Sequence, residues 1–314
     1  MTLTFGIYAG GRIALDDGSP PEDPALLAKA LDDLHGPHPF LVRAYVHYPS
    51  LHEAPPNPEA LLTGHRRLDL VACFRDPGHD LTGWLAFLRG LLHRHGSTLA
   101  TLQITEEADN AGPGGDGEFP AVRQALVEGV IAAKREARAL GLDVRIGCNS
   151  TAIFDPAQEF WTDLGRRGGQ EFREALDYAG LDFFPDVFRP IPADRLPDAV
   201  RAVLGNFRHH SLKAAGIPED TPVHVTEHGW STGPDRPDSR QAEVLDTVVR
   251  EIAASDLTIT TYEHFSLRDA DSSRSDLLHT LGLLHDDHTP KPAFATYRDL
   301  IAEFTSPGTP ARPA

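Results

Sequence analysis

The chain has 314 residues, of which 29 are Lys or Arg and 46 are Asp or Glu, so its formal net charge is −17. This acidic balance disfavours binding to nucleic-acid phosphates and to anionic lipid surfaces, because both depend on clustered basic side chains. With 40% hydrophobic residues, the composition is typical of a globular protein rather than a disordered one.

The sequence contains no apolar run of the roughly 20 residues that a membrane-spanning helix needs. The residues from Met1 to Tyr8 lack the basic segment of a secretory signal and have the pattern of a strand. We therefore expect a cytoplasmic protein without a membrane or nucleic-acid partner, and we leave the oligomeric state open. Cys73 and Cys148 lie in apolar runs and are expected to be buried, reduced thiols.

Short apolar and β-branched runs alternate with helical patterns along the chain, which is typical of βα units and a parallel sheet. The predicted strands are eight, at 4–8, 40–47, 68–74, 99–105, 143–148, 180–184, 222–227 and 257–265. The predicted helices cover 80–95, 119–140, 172–178, 193–215, 239–254 and 292–304, with a weak helix near 59–63.

Eight such strands predict a (β/α)₈ TIM barrel, an α/β fold with a core of about 250 residues. We expect a single catalytic barrel over 1–305 and a flexible tail over 306–314. An open doubly wound sheet is the alternative, but Tyr8-Ala-Gly-Gly-Arg12 lacks the G-x-G-x-x-G spacing of a dinucleotide site. No cofactor is therefore expected.

In such a barrel the active site lies at the carboxyl ends of the strands. The predicted fourth strand runs into Glu106 and Glu107, and the seventh ends at Glu227. Alternation of side chains directs Glu107 toward the barrel axis and deflects Glu106 unless the strand has already ended. Two carboxylates on separate strands are what glycosidic bond cleavage requires. The alternative is that both are charges at the rim of the barrel or that they pair with arginines and stabilise the fold.

Other strand-end residues are candidates for substrate binding. Alternation on the second strand places Arg43 and His47 inward, and an inward arginine below two carboxylates is expected to pair with one of them and keep it ionised. Asp186 follows the sixth strand, and Trp230 follows Glu227, where an indole can stack on a sugar ring. Packing roles for His47 and Trp230 are the alternative.

Four segments, in order, resemble motifs of the clan A glycoside hydrolases, the retaining (β/α)₈ glycosidases. Val225-Thr-Glu-His-Gly-Trp-Ser-Thr232 resembles the strand 7 nucleophile motif, and Leu102-Gln-Ile-Thr-Glu-Glu-Ala-Asp109 resembles the strand 4 acid/base motif. Phe265-Ser-Leu-Arg-Asp269 and Gly282-Leu-Leu-His-Asp-Asp-His-Thr-Pro-Lys-Pro-Ala-Phe294 resemble the strand 8 segment and the approach to the last helix. The resemblance implies a carbohydrate substrate, with Glu227 as nucleophile and Glu107 as general acid/base.

The sequence departs from the clan at three positions. Glu106 stands where relatives usually have the asparagine that contacts the sugar 2-hydroxyl, so Glu106 is a substrate-binding candidate. It is also an alternative acid, or a sign that activity has been lost. His228 replaces a frequent asparagine, and His264 and Phe265 occupy the position of a common sugar-stacking tryptophan, which makes His264 a further binding candidate.

The sequence thus predicts a retaining glycosidase that uses two glutamates on small oligosaccharides or glycosides. A non-catalytic sugar-binding barrel is the first alternative and a metal-dependent barrel hydrolase the second. We expect no metal, because the histidine pairs, His93 with His95 and His285 with His288, lie outside the strand ends, and the first strand carries no His-x-His ligand pair.

Overall fold

The structure is a computed structural model that describes residues 2–11 and 18–305. Eight parallel strands form a closed barrel, since β1 pairs with both β2 and β9 and each remaining strand pairs with its neighbours. The barrel strands are β1 (Thr4–Tyr8), β2 (Phe40–Tyr48), β4 (Arg66–Phe74), β5 (Leu99–Ile104), β6 (Arg145–Thr151), β7 (Tyr178–Asp182), β8 (Val223–His228) and β9 (Ile259–His264). The predicted (β/α)₈ barrel is confirmed.

Helices surround the barrel, and a short strand β3 (His52–Ala54) pairs antiparallel with β2. The helices are α1 (Pro24–His35), α2 (Thr82–His95), α3 (Val122–Ala139), α4 (Glu159–Ala175), α5 (Leu196–Asn206), α6 (Asp238–Ala254) and α7 (Pro292–Thr305). Short 3₁₀ helices occupy Pro58–Leu61 and Ala193–Arg195, and a π-helical turn over Phe207–Leu212 continues α5. Within the described ranges, no helix is both long and apolar enough to span a membrane.

All eight predicted strands are present, but the helix predicted at 172–178 belongs to α4, which starts at Glu159. Three glycines, at 165, 168 and 169, lower the helix propensity of this segment, and Gly169 has a φ of 55°. Burial of Phe160, Trp161 and Leu164 on one face stabilises the helix nevertheless. Helix α1 was not among the predicted elements. The predicted tail, 306–314, lies outside the described residues, and the single-domain assignment of 1–305 stays a prediction.

The barrel has an apolar exterior and a polar interior. Alternate residues such as Leu70, Ala72 and Ile104 face the helices and pack in the main hydrophobic core. The inward side chains are different. The buried polar groups include Arg43, Asp69, Thr101, Gln103 and Glu263, with Tyr8, Tyr45, Val71 and Cys73 packed together near the carboxyl end. Cys73 and Cys148 are buried and free, as predicted. Because buried polar groups need hydrogen-bond partners, the interior forms a network that extends toward the strand ends.

Candidate active site

The carboxyl end of the barrel opens into a cavity of about 1020 Å³. Of the acidic side chains that line it, four lie at or just after the ends of barrel strands: Glu106 and Glu107 after β5, Asp182 at the end of β7, and Glu227 near the end of β8. Carboxylate oxygens of Glu106, Asp182 and Glu227 lie within 4.8 Å of one another. The structure thus brings both predicted catalytic glutamates to the same cavity.

A turn after β5 presents both Glu106 and Glu107 to the interior. Strand β5 ends at Ile104, and Thr105 and Glu107 have φ angles of 64° and 39°, which break the alternation of side chains. Because the strand has already ended at Ile104, the exception stated for Glu106 applies, and its side chain faces the cavity. Asp116 holds the turn, since its Oδ2 accepts the backbone N–H of Glu106 at 2.9 Å.

Both carboxylate oxygens of Glu106 are occupied by donors from the barrel. Its Oε2 accepts from Nε2 of Gln103 at 2.8 Å and from Nη2 of Arg43 at 3.3 Å. Its Oε1 accepts from Nδ2 of Asn149 at 3.0 Å. Glu106 is thus fixed by three partners.

Glu107 has a different environment. Its backbone N–H donates to Oδ1 of Asn149 at 2.9 Å, and its carboxyl accepts a hydrogen bond from Nδ2 of Asn110 at 2.6 Å. Burial, followed by the negative charge of Glu106, raises the pKa of Glu107 to about 8. Glu107 therefore carries a proton at neutral pH and can donate it.

An irregularity in β8 directs Glu227 inward. Leu181 of β7 pairs with Val225, and the next residue, Asp182, pairs with Glu227, so β8 contains one extra residue. Val225 packs in the helix-facing core, whereas Thr226 donates to Oδ1 of Asp182 at 2.5 Å inside the barrel. Strict alternation along β8 would place Val225 and Glu227 on the same face, and the bulge explains why Glu227 points into the cavity while Val225 faces the helices.

The side chain of Glu227 is held from the opposite side of the barrel. The hydroxyl of Tyr45 donates to its Oε1, and Nε of Arg43 lies 3.8 Å from the same oxygen. Burial and the charge of Glu106 raise the pKa of Glu227, while Arg43 and the Tyr45 hydrogen bond oppose that shift.

Arg43 organises the network below the cavity. Its Nη1 donates to Oδ2 of Asp69 at 2.6 Å, its Nε donates to the hydroxyl of Tyr45 at 2.9 Å, and its Nη2 donates to Oε1 of Gln103 at 3.0 Å. Arg43 pairs with Glu106 more closely than with Glu227. Because it is fully buried and is not among the cavity-lining residues, its position supports a role beneath the substrate rather than against it.

The cluster of Glu106, Asp182 and Glu227 contains more carboxyl groups than the single positive charge of Arg43 can neutralise. Burial and the charge of Glu106 raise the pKa of Asp182 as well as that of Glu227. Arg43 contacts the cluster but also pairs with Asp69. Three carboxylates this close form a donor set that a hard divalent cation accepts, and none of the histidine pairs of the sequence contributes to it.

The remaining predicted binding residues lie in different places. His47 lines the cavity beside the ring of His52, and burial together with Arg75 lowers its pKa to about 3, so it is neutral. Trp230, Asp186 and His264 are described in the structure but do not line the cavity.

These three side chains have packing partners instead. The indole N–H of Trp230 donates to Asp186, and the guanidinium of Arg236 lies over its ring at 4.1 Å, so that face is covered. Asp186 also accepts from the backbone N–H of Ile191 and from Arg240. His264 is buried against Tyr262 and Tyr297. Their contacts fix loops and the core.

Four site residues received no role from the sequence: Tyr45, Asp69, Asn149 and Asp182. Tyr45 shares the inward face with Arg43, so alternation along β2 could have suggested it. Asn149 lies one residue beyond the predicted strand 143–148, and β6 extends through it. The residues around Asp182 and Asp69 in the sequence contain no signal that distinguishes these two aspartates from acidic residues at the protein surface.

Comparison with known proteins supports the fold. No protein-family model and no curated protein matches this sequence. Among solved structures, a family 1 β-glucosidase from Thermotoga maritima matches with a TM-score of 0.64 and 13% identity, over 96% of this chain and 98% of that one. A GH5_18 protein from Streptomyces cattleya in complex with GlcNAc matches with a TM-score of 0.64 and 14% identity, over 99% and 82%.

The chain spans about half the length of several other glycosidase structures that it resembles. One is a β-glucuronidase from an uncultured Clostridium species, matched with a TM-score of 0.60 and 13% identity over 96% of this chain and 50% of that one. At these identities the likeness extends to the barrel fold.

Proposed function

We propose that this protein is a retaining glycoside hydrolase with Glu227 as nucleophile and Glu107 as general acid/base. One observation carries the proposal: glutamates from β8 and from the turn after β5 face a common cavity, and one of them has a pKa of about 8. A retaining mechanism requires this pair of an anionic attacker and a neutral proton donor. The named glycosidases among the similar structures support the same reading.

In the first step, a carboxylate oxygen of Glu227 attacks the anomeric carbon and forms a glycosyl ester. The bond to the leaving oxygen breaks, and Glu107 transfers its proton to that oxygen. In the second step, Glu107 accepts a proton from water while the water oxygen attacks the anomeric carbon, which releases Glu227. Both glutamates end in their starting protonation states.

The nucleophile must be ionised, although burial raises its pKa. Tyr45 and Arg43 both stabilise the Glu227 carboxylate, whereas Asp182 is held by the neutral donors Asn149 and Thr226. We therefore assign the proton shared by the cluster to Asp182. The Glu227 carboxylate then stays ionised and available for attack at the sugar.

Glu107 suits the role of acid better than Glu106. An acid must direct a proton at the leaving oxygen, and both oxygens of Glu106 already accept hydrogen bonds from the barrel. Glu106 occupies the position from which relatives contact the sugar 2-hydroxyl, and we propose that it binds substrate there. The cytoplasmic location and the absence of nucleic-acid partners stay predictions from the sequence.

A panel of 4-nitrophenyl α- and β-glycosides, pyranosides and furanosides, tests the activity directly. We expect turnover of at least one β-glycoside, with product NMR showing retained anomeric configuration. The matching 2-deoxy-2-fluoro glycoside should then form an ester on Glu227, located by peptide mass spectrometry.

The controls are Glu227→Gln, which should abolish turnover, and Glu219→Gln, an exposed glutamate outside the cavity, which should not change it. Sugar binding without hydrolysis by the unaltered protein would instead favour the non-catalytic barrel.

A further inference from the structure

One side of the cavity is apolar. Between the end of β7 and the end of α5, every described residue that lines the cavity is apolar. We call this surface, together with its neighbours from the β6 and β9 loops, the apolar wall; its main members are Phe154, Phe184, Phe188, Ile191, Val203 and Leu278.

Two phenylalanines of the apolar wall are strongly exposed, Phe154 at 61% and Phe188 at 64%. Large apolar side chains that remain in water forgo the free energy of burial, and clusters of them in a cavity indicate a ligand surface. Phe184 and Phe188 lie edge to face with ring centroids 6.5 Å apart, so they form a continuous surface.

The loops that carry these rings are anchored. The backbone carbonyl of Ile153, next to Phe154, accepts from Nδ2 of Asn206 at 2.7 Å and from Nε2 of Gln158 at 3.1 Å. In the other loop, Asp186 accepts from the N–H of Ile191 and from Trp230. The exposed rings are therefore held on fixed backbone and preformed for binding.

The proposed acid/base lies beside this surface. The backbone N–H of Glu107 donates to Asn149 of β6, and Thr151, at the end of the same strand, begins the segment that carries Phe154. The leaving oxygen must sit at the acid that protonates it. The sugar ring is then directed to the carboxylates and the leaving group to the apolar wall.

We propose, on the basis of the proposed glycosidase function, that the substrates are glycosides with a bulky apolar aglycone and that Phe154 and Phe188 select for it. A second sugar presents several hydroxyl groups, and the apolar wall offers them no hydrogen-bonding side chains. An alkyl or aromatic aglycone instead covers the exposed rings. Oligosaccharides are then poor substrates.

The test uses the sugar that the nitrophenyl panel identifies, as its methyl, butyl and hexyl glycosides and as a disaccharide with the same non-reducing unit. We expect kcat/KM to rise by up to about fourfold for each methylene that the apolar wall covers, and the disaccharide to be cleaved more slowly than the hexyl glycoside. The Phe154→Ala and Phe188→Ala variants should each lower the ratio of hexyl to methyl kcat/KM. Leu51→Ala removes a side chain of similar exposure, 62%, that lies outside the cavity, and should leave the ratio unchanged.

The outcomes separate the two proposals. If kcat/KM does not change from the methyl to the hexyl glycoside, the aglycone assignment is wrong but the proposed glycosidase activity is not affected. The same holds if neither phenylalanine variant changes the ratio of hexyl to methyl kcat/KM. Faster cleavage of the disaccharide than of the hexyl glycoside also contradicts the aglycone assignment alone. Absence of hydrolysis with every glycoside overturns the proposed function and the aglycone assignment together.

Discussion

Tyr45 of β2 donates a hydrogen bond to Glu227 of β8, across the barrel and 182 positions away in the sequence. The same hydroxyl accepts from Nε of Arg43 at 2.9 Å. Tyr45 thus relays the positive charge of Arg43 to the carboxylate that we propose as nucleophile, which Arg43 itself approaches only to 3.8 Å.

Replacing this hydroxyl tests the relay. Tyr45→Phe should lower kcat/KM about 10- to 100-fold, because a hydrogen bond to a charged group contributes about 1.5–3 kcal/mol. Since the Tyr45 hydrogen bond lowers the pKa of Glu227, its loss should move the acidic limb of the pH profile upward. Tyr48→Phe, in the aromatic cluster with Trp84, is the matched control. An unmoved acidic limb would show that Tyr45 does not support the nucleophile.

The two adjacent glutamates can be told apart by chemical rescue. Glu107→Ala should lose about 10²- to 10⁴-fold in kcat/KM on substrates with poor leaving groups, retain more on nitrophenyl substrates, and be accelerated by azide. Azide enters the space left by the acid/base and attacks the glycosyl ester without proton abstraction. Glu106→Ala should show no azide effect. Rescue of Glu106→Ala alone would transfer the acid/base role to Glu106.

The raised pKa of Glu107 sets an upper pH limit. A general acid works in its protonated form, so kcat/KM should fall tenfold per pH unit above about pH 8. Measurements from pH 5 to pH 10 on a glycoside with a poor leaving group report this limb. A limb near pH 5 would mean that Glu107 is ionised at neutrality, and the assignment of the acid would then fail.

The same group affects stability. The folded protein holds the Glu107 proton up to about pH 8, whereas the unfolded chain releases it near pH 4.5, so the folded state binds more protons between these values. The contribution of Glu107 to the free energy of unfolding therefore falls as pH rises from 4.5 to 8. Glu107→Gln removes the titration and keeps an acceptor for Asn110.

Chemical denaturation at pH 5 and pH 8 checks this effect. The difference in unfolding free energy between the two pH values should be smaller in Glu107→Gln than in the unaltered protein. Equal differences would show that Glu107 has the same pKa in both states.

Chelation distinguishes the metal-dependent alternative. A protonated carboxyl is a poor metal ligand, and burial raises the pKa of Asp182, to which we assign a proton. We expect dialysis against EDTA to leave kcat/KM unchanged within about twofold, and added Mg²⁺, Ca²⁺ or Mn²⁺ to have no effect. Loss of activity that a divalent cation restores would favour the metallohydrolase.

The strands could be predicted from the sequence because each is a local apolar run. All eight lie within a few residues of their predicted positions, and the first was predicted with its exact bounds, Thr4–Tyr8. Glu107 and Glu227 were predicted as site residues because of their positions at the ends of strands. Helix α4 was mostly missed, because its glycines disfavour a helix locally while the packing of Phe160 and Trp161 stabilises one.

Orientation was less predictable than position. Alternation gave the right face for Arg43 and Tyr45, which lie within the regular part of β2. Alternation does not extend past Ile104, because the strand ends there and Thr105 has a positive φ, and it is interrupted at the bulge in β8, which changes the face that the next side chain takes. For Trp230 the predicted position near Glu227 was correct, but the prediction of sugar stacking did not anticipate that Arg236 covers its ring.

The sequence by itself determined the order of the eight barrel strands, the barrel, and the two glutamates at strand ends, because these depend on local composition and spacing. Only the tertiary structure decided that Glu106 joins Asp182 and Glu227, that Tyr45 supports Glu227, and that one side of the cavity is apolar. Those relationships depend on barrel closure, which brings together side chains whose separation along the chain carries no information about their distance in space.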